Sequence, residues 1–185
     1  MYSKTRRNML LAIAVMMAFV LACNSGLEEA NKLVAEGNVA IQEGNKLALE
    51  AGPKHDRLFA EAKAESFEED KERLKGTAKE AVDGLTKGAE KYREASKKFD
   101  EASKLKVDDK FKEYLTLKSQ EFAKRAEQVD LAKGNAQAFL DSSDPVSLMA
   151  KVNANQPRVE ALEKESKDLE TKADKIRTEN KDKIK

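Results

Sequence analysis

The chain has 185 residues, enough for one domain on the usual scale of about 100–200. Ala, Glu, Lys, Leu and Arg supply just over half of it, a mixture that marks long helices when apolar residues recur about every 3.5–3.6 positions. With no Trp, seven Phe, three Tyr and a mean hydropathy of −0.70, a thick β-sandwich or α/β core is not expected. A formal net charge of +1 argues against nucleic acid as a partner, because basic and acidic groups nearly cancel. A single Cys excludes an internal disulfide and any multi-cysteine metal site.

In chain order, the first segment reads as an address. Lys4, Arg6 and Arg7 precede an apolar run of 13 residues from Met9 to Leu21, with no acidic residue before Glu28. A membrane-spanning helix needs roughly 20 such residues, whereas the core of a signal peptide needs about 7–15. The run ends in Val20-Leu21-Ala22-Cys23, which resembles the lipobox of bacterial lipoproteins. Leu21 departs modestly from the Ala or Ser more usual at its place. The resemblance implies acylation of the Cys23 thiol, cleavage between Ala22 and Cys23, and a covalent lipid as the only added group. Two or more acyl chains anchor a protein stably where one does so only marginally. Asn24 in place of Asp implies, within that family, sorting to the outer membrane, facing the periplasm, if the host has two membranes. Loss of residues 1–22 removes three positive and no negative charges, turning +1 into −2, and takes four of the five Met, leaving Met149.

Residues 23–177 read as an all-α, up-and-down helical bundle or coiled coil of three to five helices, one of them long. Ser25 and Glu28 have capping-box spacing. Val34, Gly37, Ile41, Gly44, Ala48 and Ala51 then share one stripe of a helix over about 26–51. Glycine inside a helix costs about 1 kcal/mol against alanine, so Gly37 and Gly44 on the apolar stripe point either to a close helix neighbour or to simple duplication of a heptad. Gly52-Pro53 is expected to end the segment.

The longest pattern covers about 54–106. Ala60, Phe67, Leu74, Ala81, Gly88, Ala95 and Ala102 recur every seven, accompanied by Ala64, Ala78, Leu85, Tyr92 and Phe99, with Lys71 and Lys106 interrupting the second series. The expected helix contacts are Gly37, Gly44, Ala81, Gly88, Ala95 and Ala102, within the chain or between copies. Gly76, Gly84 and Gly88 mark the likeliest bend. A third helix is expected at about 108–141, with looser packing where its apolar face drifts near Lys118 and Arg125. Asp144-Pro145 signals a fresh start. Pro157 is expected to divide the remainder into 145–155 and 158–177. Residues 178–185 read as a charged, fraying tail.

Leu, Ile, Val and Phe make up 32 of the 163 residues after position 22, near the floor at which disorder becomes plausible. Regular heptads and near-zero net charge favour a folded chain of modest stability. No catalytic constellation is visible. His55 is the only histidine, at an expected loop–helix junction, with no nucleophile or ordering partner suggested nearby. Glu68-Glu69-Asp70 and Asp108-Asp109 lack the alternating ligands and central glycine of a calcium loop and read as solvated faces. No enzymatic activity, metal or cofactor is expected.

Two further resemblances exist. Tyr92 with Ala95-x-x-x-Phe99-x-x-Ala102 is similar to part of a tetratricopeptide repeat, but an array requires at least three copies and there is one partial copy. An acylated cysteine, a helical body and a terminal Lys185 resemble the plan of murein lipoprotein, implying attachment to peptidoglycan through Lys185. Three functions therefore stand: a membrane-anchored spacer, scaffold or docking element with a protein partner or self-association; a carrier of a hydrophobic ligand or client; and a wall tether.

Overall fold

The computed structural model describes the backbone of residues 3–181 and residue 184, with side chains from Gly26 onward. Its elements are α1 (Ser3–Glu61), a single 3-10 turn (Ala64–Ser66), α2 (Phe67–Ser103), α3 (Asp109–Asp141) and α4 (Pro145–Glu179), with no strand among the described residues. This is the all-α, up-and-down bundle that the heptads predict. Contacts run mainly between chain neighbours, α1 on α2, α2 on α3 and α3 on α4, while α1 and α3 meet only slightly.

The first expected boundary falls ten residues early. α1 passes through Gly52-Pro53 to Glu61. Pro53 is exposed, and the carbonyl its missing N–H leaves free belongs to Leu49, whose side chain is 76 % exposed. Water can serve that carbonyl, so the usual objection to a helical proline weakens. The apolar stripe meanwhile continues from Ala51 to Leu58, both buried, and carries the helix forward.

The chain turns instead at Lys63, whose backbone is extended. Asp70 holds this turn: its carboxylate accepts from the Lys63 amide at 3.1 Å, the Ser66 hydroxyl at 2.8 Å and Arg73 at 2.8 Å. Asp70 is therefore buried rather than part of a solvated acidic face. The long heptad series accordingly begins at Phe67. From there Leu74, Ala81, Gly88, Ala95 and Ala102 are all buried, whereas Ala60 and Ala64, on the far side of the turn, are exposed. Lys71, an interruption in the heptad, reaches across to the Ser142 carbonyl at 2.5 Å, where it ties α2 to the α3–α4 corner.

α3 begins as expected, with Asp108 accepting from the Lys110 amide at 2.9 Å. Asp144 caps α4 through the Val146 and Ser147 amides, with Pro145 in the first turn. The division expected at Pro157 is absent, because α4 is continuous to Glu179. Pro157 and Asn153, four residues earlier, both face solvent, so the same physical reason applies as at Pro53. Nor does the charged tail read correctly. The helix runs two residues further than 177, and Ile184 is buried in the core, its amide bonded to the Asn180 carbonyl at 2.9 Å.

Two apolar clusters occupy opposite ends of the bundle. One gathers Ala30 and Ala40 of α1, Tyr92 and Phe99 of α2, Phe111, Leu115 and Phe122 of α3, and Ile184. The other gathers Leu58, Phe67, Leu74, Phe139 and Leu148. Between them α1 and α2 meet through small residues, and a Cβ added at Gly84 would lie 2.9 Å from the Ala51 Cβ.

Candidate functional site

The expected helix contacts lie inside the chain. Gly37 faces the Phe99 ring, Gly44 the Tyr92 ring, and Gly88 the Gly44 carbonyl and Leu47. Ala81, Ala95 and Ala102 are fully buried in the two clusters. Their neighbours on the other helix are large aromatics or backbone, so small side chains are what allow α1 and α2 to approach. The side chains of Ala22 and Cys23, and residue Lys185, lie outside the described residues.

His55 stands inside α1 rather than at a junction. Its Nδ1 lies 3.0 Å from the Asp56 carboxylate, its ring tilts against Phe59 with centroids 5.1 Å apart, and its Nε2 is buried without a hydrogen-bond partner. No group of three or more His, Cys, Asp or Glu among the described residues could hold a metal ion. None of the described helices is long and apolar enough to cross a membrane.

Looser packing was expected at Lys118 and Arg125; a buried charge is found there instead. Glu121 is 0 % exposed. It accepts from Lys118 at 2.6 Å and from Arg125 at 3.0 Å, and Arg125 also reaches Glu170 of α4 at 3.2 Å. Both cations lie over the Phe122 ring, at 4.8 Å and 5.5 Å from its centroid. A buried carboxylate is tolerable only when paired, and the stems of Lys118 and Arg125 cover the aromatic surface while their heads satisfy it. The drift of the apolar face was a legible signal; the acid at its centre was not singled out.

The most developed concave feature is a groove of about 440 Å³ where α1 ends, α2 begins and α4 begins. Phe59 and Ala62 form one wall, Ala64 and Phe67 the floor, and Val146, Leu148, Met149 and Ala150 the other wall, with Asn153 as the one polar residue lining it. Its size falls within the roughly 300–1,000 Å³ range of ligand sites, which are likewise mostly apolar. Val146 and Met149 are 73 % and 42 % exposed, large apolar side chains left without a partner. Sequence reading missed the groove because its walls are about 80 residues apart in the chain, and the expected break at Gly52-Pro53 separated Phe59 from α1.

The groove lies at the end of the bundle away from Gly26. At the Gly26 end, a Cβ on Gly26 would sit 2.7 Å from the Lys106 carbonyl, and Ile184 joins the cluster of Ala30 and Phe111. Four alternating helices thus place the start and finish of the folded body together, about 50 Å from the groove at about 1.5 Å per α1 residue. Comparison with protein families, with characterised proteins and with solved structures finds no match to this chain.

Proposed function

We propose that the chain is a non-enzymatic bacterial lipoprotein, anchored through an acylated Cys23, whose helical bundle acts as a docking scaffold in the cell envelope. In a host with two membranes its place is the outer membrane, facing the periplasm. The observation that supports this reading is polarity. Residue 23 lies three positions before Gly26, at one end of the bundle, and the apolar groove opens at the other. An anchor at the first would hold the second clear of the lipid headgroups. A Cys23→Ala chain should move from the membrane fraction to the soluble fraction; its retention in the membrane would refute the anchor.

The groove also favours the second reading, a carrier of a hydrophobic ligand. Organic extraction of the purified chain separates the two: lipid at one equivalent supports carriage, and its absence supports docking. The tether reading draws less support. Ile184 packs beside Ala30, so a bond to peptidoglycan at the next residue would join wall and membrane at one end of the bundle and leave its length unused. A muropeptide on Lys185 after digestion of sacculi would reinstate it.

A further inference from the structure

We propose that the groove between the end of α1 and the start of α4 receives a cationic amphipathic helix from a partner protein; this rests on the docking reading above and adds the chemistry of the partner. The apolar part of the argument is shape. Two helix segments, carrying Phe59 on one side and Val146 and Met149 on the other, flank a trough floored by Phe67. That is the arrangement into which an amphipathic helix inserts residues spaced i, i+3, i+4 and i+7.

Charge selects among occupants. Glu65 sits between the lining residues Ala64 and Phe67, Glu68 and Glu69 follow directly, and Asp144 precedes Pro145. Glu65, Glu68 and Glu69 are exposed, and no ion pair to them is found among the described residues. The nearest arginines are already neutralised, Arg57 by Glu61 and Arg73 by Glu61 and Asp70, which leaves Lys63 and Lys151 as opposing charges. An acidic rim around an apolar trough repels fatty carboxylates and phospholipid headgroups and attracts Lys or Arg flanking an apolar stripe.

The test uses the full chain in nanodiscs of zwitterionic lipid, with empty nanodiscs as background. The probe is a fluorescent helical peptide with Leu at i, i+3, i+4 and i+7 and Lys elsewhere, beside an analogue with Glu replacing Lys. The Lys peptide should bind saturably. Its affinity should fall about tenfold or more with Val146→Asp or Met149→Glu, and again with Glu65→Lys combined with Glu68→Lys; the Glu peptide should bind at least about tenfold more weakly. Val146 and Met149 are surface positions, and circular dichroism checks that the variants remain helical. Equal binding of both peptides, sensitive to Val146→Asp, would overturn the cationic preference and leave docking intact. Failure of either peptide to bind would overturn docking as well. Stoichiometric binding of oleate lost with Val146→Asp would assign the groove to a small amphiphile, and self-association lost with that variant would assign it to a second copy; either result overturns the proposal. A Cys23→Ala result touches only the anchor.

Discussion

The Tyr92 ring lies across Gly44: a Cβ on residue 44 would come within 3.0 Å of the ring edge. The Tyr92 hydroxyl meanwhile donates to the Asn45 side chain at 2.8 Å, and the ring stacks on Phe122 with centroids 6.0 Å apart. Held from both sides, the ring has little freedom to retreat. Gly44→Ala should therefore lower stability by about 1 kcal/mol, the strain of overpacking exceeding the gain in helix propensity. In a Tyr92→Ala background the same change should become stabilising. Urea denaturation of the four chains of this cycle checks both signs.

Other glycines divide by the same criterion. Gly76 and Gly134 have open space where a Cβ would go, whereas at Gly84 it would meet the Ala51 Cβ at 2.9 Å. Gly76→Ala and Gly134→Ala should each stabilise the protein by about 0.5–1 kcal/mol, through the entropy of the unfolded chain and helix propensity. Gly84→Ala should destabilise it, because α1 and α2 must move apart. Thermal midpoints of the three variants check the contrast.

Glu121 is the buried charge on which the α3–α4 contact turns. Glu121→Ala leaves Lys118 and Arg125 facing each other over Phe122. The expected loss is about 2 kcal/mol, below the roughly 3–5 kcal/mol for breaking a fully buried pair, because both cations keep part of their surface in water. Chemical denaturation with Glu121→Gln alongside separates the loss of charge from the loss of volume.

Acid should weaken the α1–α2 turn. The Arg73 guanidinium, then the Lys63 amide and the Ser66 hydroxyl, lower the Asp70 carboxyl from its ordinary 3.8 to about 2. Since the folded value lies below the unfolded one, this stabilisation is complete above about pH 4 and is lost as pH falls through about 2. Arg57 and Arg73 lower Glu61 in the same direction. Asp70→Asn should therefore destabilise the protein at neutral pH, and the gap from wild type should shrink between pH 4 and pH 2. Denaturation midpoints across that interval check it.

α4 should exchange first. Among its described residues only Leu148, Leu162, Ser166 and Ala173 are buried, and ion pairs to α3, Lys124–Glu165, Arg125–Glu170 and Arg158–Glu127, supply much of the attachment. Exposed pairs weaken as salt shortens the screening length, and local opening follows sparse apolar burial. Amide exchange followed by mass spectrometry should show α4 faster than α2, and faster still on raising ionic strength from about 0.05 M to about 0.5 M, a range over which the screening length falls severalfold.

Periodicity alone determined the helical class, the absence of strands among the described residues and the faces each helix buries, since a sevenfold apolar recurrence is local information that any partner must satisfy. The run from Phe67 to Ala102 and the cap at Asp144 were legible for that reason. Tertiary structure decided where the chain turns. Whether a proline breaks a helix depends on whether water reaches the carbonyl it frees, and that is known only once Pro53 and Pro157 are seen to face outward. It also decided that Asp70 anchors a turn and that Glu121 is enclosed. The groove joining Phe59 to Met149 arises from long-range pairing, which no local pattern encodes.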